Sequence, residues 1–298
     1  MEKLLDKLRQ SNIKTVTSLS LAEHSSFRIG GCADAAVFPR SREQLIASLT
    51  LLREAGVPFT VIGNASNVVF ADEGYRGAIV FTTALRNVCI EDTTVTAEAG
   101  AGFSALSVTA GNASLCGMEF AYGIPGTVGG AVFMNAGAFG GSMADICVRS
   151  EYFDTERGVC GFLEGDAQAF SYRTSAYEKN PSRVILGATL HLLRGEQTEI
   201  QTKMRELMER RRSTQPHGEP SAGSVFKRPE GYFAGKLIED CGLKGTCIGG
   251  AEVSWKHAGF IVNRGGATSS DVRRLVELIQ KTVLKETGVM LECEIRFL

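Results

Sequence analysis

The chain has 298 residues, 44% of them hydrophobic, enough for substantial cores and for two domains or three lobes. Lys and Arg number 32 against 33 Asp and Glu, so a net charge of −1 excludes a global attraction to nucleic acid or to an anionic membrane, and an anionic ligand must be met locally. The N-terminal MEKLLDKLRQSN is charged throughout and lacks a secretory apolar core, and no run of apolar residues is long enough to span a bilayer, so a cytosolic globular protein is expected. Eight cysteines are scattered among apolar neighbours without a C-x-x-C pair, which argues against zinc and disulfides and for reduced core residues.

Residues 3 to 10 read as a short helix, and SSFRIGGCADAAVFP as a glycine turn leading into a strand that Pro39 stops. Ser41 to Ala55 reads as an amphipathic helix, with Ser41 as N-cap, Glu43 in the first turn and an apolar stripe of Leu45, Ile46, Leu49 and Leu52. PFTVIG follows as a buried strand and gives way to GNASNVVF. There Gly63, Asn64, Ser66 and Asn67 stand where a strand becomes a loop, a position that either presents main-chain donors to a ligand or merely closes turns. Short strands GAIVFT, NVCIED and TVTAEAG come next, then a helix-like segment from Phe103 to Cys116.

The run from Gly117 to Gly141 packs eight glycines into 25 residues with Glu119 as its one charge, a composition that excludes an ordinary helix or strand. Two readings are open: a main-chain surface on which the diphosphate of a cofactor lies, or a glycine-rich packing corner. It matches neither G-x-G-x-x-G nor a P-loop. Strands are expected around Ile146 to Phe153, Val159 to Leu163 and Val184 to Leu193, and FSYRTSAYE places Arg173 in a hydroxyl-rich loop, either solvated or a ligand for an anion. A charged helix from Glu196 to Arg212 marks a domain junction. Its three terminal arginines either complement the helix end or hold an anion.

Beyond the junction the pattern is loop (PSAGSVFKRP), helix (YFAGKLIEDCG), strand (HAGFIVN), helix (SSDVRRLVELIQKTVLKETG) and strand (VMLECEIRFL), a small sheet with two helices on one face. In the final strand Leu291, Cys293, Ile295 and Phe297 alternate with Glu292, Glu294 and Arg296. Gly223-Ser224 reads as a turn and is not a hydrolase elbow.

Seven stretches in order, SSFRIGG at 25 to 31, GNASNVVF at 63 to 70, GIPGTVGGAVFMNAGAFG at 123 to 140, SYRTS at 171 to 175, GSVFKRP at 223 to 229, HAGFIVN at 257 to 263 and LECEIR at 291 to 296, strongly resemble the UDP-N-acetylenolpyruvoylglucosamine reductase (MurB) family of peptidoglycan synthesis. The resemblance covers nearly the whole chain. It implies an α+β protein with a two-lobed FAD-binding region of the PCMH/vanillyl-alcohol-oxidase type at 1–195 (lobes about 1–78 and 79–195) and an α+β substrate-binding domain at 196–298. The implied reaction uses NADPH to reduce non-covalent FAD, which then reduces the enolpyruvyl ether of UDP-N-acetylglucosamine enolpyruvate in a cytoplasmic monomer without nucleic-acid or membrane partners.

Carried onto this sequence, the resemblance assigns cofactor binding to Gly63, Asn64, Ala65, Ser66, Asn67, Ile124, Pro125, Gly126, Thr127, Gly130, Asn135, Gly137 and Arg296. Substrate binding falls to Arg173, Lys227, Arg228 and His257, with catalysis by Arg173, Ser224 and Glu294. Arg173 supplies a planar donor fork to the carboxylate, Glu294 a second donor where its surroundings keep it protonated, and Ser224 the proton for the α-carbon. The direct passage from Tyr177 to the strand at Val184 resembles the shorter subgroup that lacks a tyrosine-bearing insertion. The main alternative is an oxidase of the same superfamily acting on an alcohol or lactone. Such oxidases commonly tether FAD through a histidine, and none of His24, His191, His217 and His257 lies in a flavin loop. A nucleotide-sugar-binding protein without chemistry would have no use for Arg173, Ser224 and Glu294 together.

Overall fold

A computed structural model describes residues 1–298. The chain divides into two compact units, the first made of Met1–Thr17, Ala35–Asn64 and Gly77–Arg210, the second of Ser18–Asp34, Ala65–Arg76 and Arg211–Leu298. Three of the crossings fall inside strands, Lys14–Ser20, Cys32–Phe38 and Tyr75–Phe81.

The first unit holds two sheets. One runs in the order Lys14–Ser20, Cys32–Phe38, Tyr75–Phe81, Phe59–Ile62, its last pair parallel. The other is antiparallel, in the order Val159–Glu164, Cys147–Asp154, Arg183–His191, Thr94–Glu98, Val88–Glu91. Helix Arg42–Glu54 starts where its cap predicts: the Ser41 hydroxyl accepts from Gln44 N at 3.3 Å, and Leu45, Leu49 and Leu52 are fully buried while Ile46 is half-buried. Each such leucine contributes about 1.5–3 kcal/mol relative to exposure.

Strand Arg183–His191 serves two cores. Val184 and Leu186 pack with Leu45, Leu49 and Phe153 on one face, and Ile185, Ala188 and Leu190 pack with Val95, Phe103 and Val128 on the other. Strict alternation would put Leu186 with Ala188. A register shift opposite Glu151 and Tyr152 inserts one extra residue, and this bulge turns Leu186 over.

The glycine run corrects the sequence reading, because Val128–Phe133 is a short helix. Thr127 caps it, its buried hydroxyl accepting from Gly130 N at 3.4 Å, and Asn135 ends it at φ 42° with Ala136 N donating to Ala131 O at 2.8 Å. Glycine is required inside it for approach: a Cβ on Gly129 would sit 3.0 Å from the Ala99 Cβ. The helix predicted to reach Cys116 stops at Asn112, and that predicted from Glu196 to Arg212 spans Gln197–Thr214.

The second unit has an antiparallel sheet in the order Ser221–Ser224, Phe260–Asn263, Ala251–Val253, Cys247–Ile248. Helices Ala234–Asp240 and Ser269–Thr287 share one core with it, built from Leu237, Ile238, Val253, Ile261, Leu275 and Ile279. The long helix has a reciprocal cap between Thr268 and Asp271 and ends at Gly288 with φ 74°. PSAGSVFKRP, expected as loop, contributes the strand Ser221–Ser224. The expected terminal strand shrinks to Arg296–Phe297, parallel to Val68–Val69, although Leu291 and Ile295 are buried and Glu292 and Arg296 exposed as the alternation requires. All eight cysteines are free, but they are not all core residues: Cys147 is buried, whereas Cys32, Cys89, Cys160 and Cys247 are exposed, lying at sheet positions whose outer face is wet. Burial pushes the Cys147 thiol up to about 12.

Candidate active site

In the first unit the strand Phe59–Ile62 delivers Gly63 and Asn64 to the glycine run. Asn64 Nδ2 donates to Pro125 O at 3.0 Å. Gly63 lies so close that a Cβ there would sit 2.2 Å from Thr127 Oγ1. Two loops distant in sequence therefore form one surface, in which bare main chain and small side chains replace bulk. Ile124, Gly126 and Gly137 are half-buried, while Pro125 and Gly130 are exposed. A surface of this kind fits the diphosphate of a dinucleotide, which needs main-chain N–H groups and room to lie against them. The carboxamide of Asn135 is committed elsewhere: Oδ1 accepts from Ala144 N at 2.9 Å and Nδ2 donates to Ser171 O at 2.9 Å.

Arg173 stands at the third position of a tight turn, Ser171–Thr174, closed by paired main-chain bonds of 3.1 and 3.2 Å. Its φ of 57° is one that glycine or asparagine normally supplies. Holding a residue with a Cβ in that conformation costs about 1–3 kcal/mol, which the surrounding structure must offset.

In the second unit Ala65, Ser66 and Asn67 continue the first loop. Ala65 adopts φ 47°, and its carbonyl accepts from Ser26 N and Oγ, each at 3.4 Å. Asn67 clasps the chain terminal to Leu291: Nδ2 donates to Glu294 O at 3.1 Å and its own carbonyl accepts from Arg296 N at 3.0 Å. Ser224 and Glu294 are brought together, because Glu294 N donates to Val225 O at 2.8 Å and Phe226 bridges Cys293. Gly223-Ser224 is a bulge and not a turn: Ser221 pairs with Val262 but Ser224 with Phe260, with Gly223 at φ 80°. The extra residue re-aims Ser224, whose hydroxyl donates to Phe226 O at 3.2 Å.

Lys227 Nζ pairs with Glu292 Oε1 at 2.5 Å, and the Arg228 guanidinium lies 4.0 Å from the Phe233 ring centroid with Nε donating to Tyr232 O at 3.2 Å. His257 is half-buried, and Nδ1 accepts from Gly259 N at 3.0 Å, which puts the ring proton on Nε2. Burial holds its pKa below the usual imidazole value. A depressed pKa means that the unfolded chain binds the proton first, so the stabilisation is complete above about pH 6.5 and fades as pH falls below it. The thermal midpoint should therefore drop more between pH 7 and 5 in the native protein than in His257→Gln. Parallel curves would show that the ring does not control acid stability.

In the sequence Thr127 is marked only as a cofactor residue implied by resemblance, without its role as a helix cap, and Ser175 is not singled out at all. T-x-x-G is a cap signature that the glycine content masked, and the bond from Ser175 Oγ to Phe133 O, 2.8 Å, has no local signal.

Residues 33–160 match the FAD binding domain family, which makes the chain an FAD-binding flavoprotein. Residues 215–298 match the family described as UDP-N-acetylenolpyruvoylglucosamine reductase, C-terminal domain. A UDP-N-acetylenolpyruvoylglucosamine reductase of Caldanaerobacter subterraneus subsp. tengcongensis is 46% identical over 297 residues, 99% of this chain and 98% of the relative. That of Lactiplantibacillus plantarum is 45% identical over 279 residues, 94% and 92% of the two chains. The crystal structure of the Thermus caldophilus reductase superposes with a TM-score of 0.80 at 33% identity, covering 96% of this chain and 98% of that one. The chain belongs to the UDP-N-acetylenolpyruvoylglucosamine reductase family, an oxidoreductase family. No helix is long and apolar enough to cross a membrane, and no cluster of His, Cys, Asp and Glu is arranged to hold a metal ion.

Proposed function

We propose that the protein reduces the enolpyruvyl ether of UDP-N-acetylglucosamine enolpyruvate to the lactyl ether of UDP-N-acetylmuramate, with NADPH as reductant, in peptidoglycan precursor synthesis. The observation that carries this reading is end-to-end relation to the reductases, at 46% identity over 99% of the chain. Bound FAD, once reduced by NADPH, supplies the hydride for the β-carbon of the enolpyruvyl group. Gly63, Asn64 and Ala65 to Asn67, the segment Ile124–Gly130, Gly137 and Arg296 hold that cofactor in this reading.

Addition at the β-carbon moves negative charge onto the α-carbon and its carboxylate. Arg173 binds that carboxylate through a planar donor fork, and Glu294, in its protonated form, donates to it as well. Ser224, which precedes the Val225 whose carbonyl accepts from Glu294 N, gives its hydroxyl proton to the α-carbon. Lys227, Arg228 and His257 bind the remainder of the substrate. The bulge at Gly223 and the clasp by Asn67 support this reading, since each fixes the backbone next to a proposed catalytic side chain. The protein acts, in this reading, as a cytosolic monomer, and light scattering at micromolar concentration checks the mass.

The test is spectroscopic. Purified protein should carry flavin absorption that bleaches on anaerobic addition of NADPH and returns when the enolpyruvyl sugar is added. Return with oxygen alone, and none with the sugar, would make the protein an oxidase. Arg173→Lys loses the fork and should slow the return by about 10- to 100-fold, the loss of one charge-assisted hydrogen bond. An unchanged rate removes Arg173 from the site.

A further inference from the structure

We infer that the Asn135 carboxamide, together with the Ser175 hydroxyl, is a positioning device for Arg173 and not a ligand of the cofactor; the inference rests on the proposed role of Arg173. The turn that carries Arg173 is short and holds a residue with a Cβ at φ 57°, so it needs support from outside itself. Two side-chain bonds supply it, and both start at the C-terminal end of helix Val128–Phe133. Asn135 Nδ2 donates to Ser171 O at 2.9 Å, and Ser175 Oγ donates to Phe133 O at 2.8 Å.

Both tethers are dry. Asn135 is 8% exposed and Ser175 2%, so neither bond competes with solvent on equal terms. Ser171 O accepts from Thr174 N as well, at 3.2 Å, which uses both of its lone pairs. The far end of the carboxamide is fixed too, since Oδ1 accepts from Ala144 N at 2.9 Å. An amide held at both ends has one orientation, and it transmits that orientation to the turn.

The same helix begins at Thr127, which abuts Gly63. One six-residue helix thus joins the paired glycine loops at its start to the Arg173 turn at its end. It sets the distance between the surface proposed for the cofactor and the guanidinium proposed for the substrate carboxylate.

The backbone of Asn135 permits a clean experiment. At φ 42°, closing a helix end with Asn135 N bonded to Val132 O at 3.3 Å, the position accepts glycine without strain. Asn135→Gly therefore removes the carboxamide and keeps the helix end, whereas Asn135→Asp keeps the acceptor for Ala144 N and sets a negative oxygen against Ser171 O. Ser175→Ala removes the second tether alone and serves if the Asn135 variants fail to fold.

Flavin content per chain, the rate of flavin bleaching by NADPH, the rate of its return with the enolpyruvyl sugar and the dissociation constant of that sugar from the oxidised protein are measured for each. Each variant should keep flavin content and bleaching within twofold, and slow the return about 10-fold or more with weaker sugar binding, Asn135→Asp most. In an Arg173→Ala background the loss from Asn135→Gly should shrink to under threefold, because there is no longer a guanidinium to place.

Loss of flavin in Asn135→Gly would make Asn135 a cofactor ligand and overturn the inference. So would an equal slowing of both half-reactions, or full additivity with Arg173→Ala. The underlying reading fails separately, if Arg173→Ala by itself leaves the return rate unchanged.

Discussion

Ser224→Ala is expected to keep its flavin and to be reduced by NADPH at nearly the native rate, while oxidation by the enolpyruvyl sugar slows by roughly 10²- to 10⁴-fold, the range for a lost acid catalyst. A serine hydroxyl is a poor acid at neutral pH. The species left after hydride addition is a carbanion or enolate, strongly basic, so a positioned O–H donates to it downhill. Timing separates this role from binding, because a group that acts only after the hydride has moved cannot affect flavin reduction. The bulge at Gly223 matters here: it interrupts the regular pleat immediately before Ser224, next to Val225, whose carbonyl accepts from Glu294 N. Cysteine at 224 should retain part of the rate, since a thiol also donates. Glu294→Gln should be milder than Glu294→Ala if the residue works as a hydrogen-bond donor, because the amide keeps N–H groups. Stopped-flow records of the two half-reactions decide the matter, and equal slowing of both in Ser224→Ala would remove the proton-donor assignment.

Gly63→Ala is expected to yield folded protein with little or no flavin. Its Cβ would lie 2.2 Å from Thr127 Oγ1, a distance no real packing tolerates, and 3.0 Å from Thr127 Cγ2, which is tight. The strand behind Gly63 is paired residue by residue with Tyr75–Phe81 and cannot retreat, so Thr127 must turn away. The helix cap is then lost, at about 1 kcal/mol, and the paired surface opens. Unfolding of the whole unit would need far more. Thr127→Ala removes the two nearest of these atoms but also the cap, and leaves the Thr127 Cβ position at 3.2 Å, so the cap loss can be read separately: Thr127→Ala alone should keep more flavin than Gly63→Ala. Absorbance at the flavin band per chain, read beside a thermal midpoint, gives both quantities. Full flavin content in Gly63→Ala would show that the two loops are not the cofactor surface.

What the sequence disclosed follows from what its patterns encode. The Ser41 cap, the stripe of helix Arg42–Glu54 and the boxed helix Ser269–Thr287 are local signals, and the chain obeys them. Composition misled where chemistry opposed it: glycine density argued against any helix at 128–133, yet Thr127 supplies the cap and close packing on Ala99 requires a missing Cβ. Strands of two to four residues, such as Cys247–Ile248 and Ser221–Ser224, are too short to show a period. Alternation told which face of residues 291–297 is buried but not the partner, and pairing with Val68–Val69 turned out to occupy two residues alone. The identities of Arg173, Ser224 and Glu294 came from resemblance, whereas the bulge, the strained turn and the tethers came only from coordinates. A hydrogen bond between residues 36 apart leaves no periodic trace.

The composition of the second unit also constrains how the protein is made. Phe27, Ile29 and Val69 belong to the same core as Leu291 and Ile295, and Asn67 reaches Glu294 across 227 residues. At about 5–20 residues per second, translation takes on the order of 11–45 s to cover that separation. During this interval Phe27, Ile29 and Val69 have emerged without their partners, while the first unit's later segments are still being synthesised. Nascent chains should thus depend on chaperones over a defined interval, and a fragment comprising only 215–298 would lack part of its own interior. A long helix with good caps does not compensate for missing walls, so such a fragment should be recovered mainly as aggregate, and adding residues 18–34 and 65–76 on a second chain is the manipulation that would rescue it.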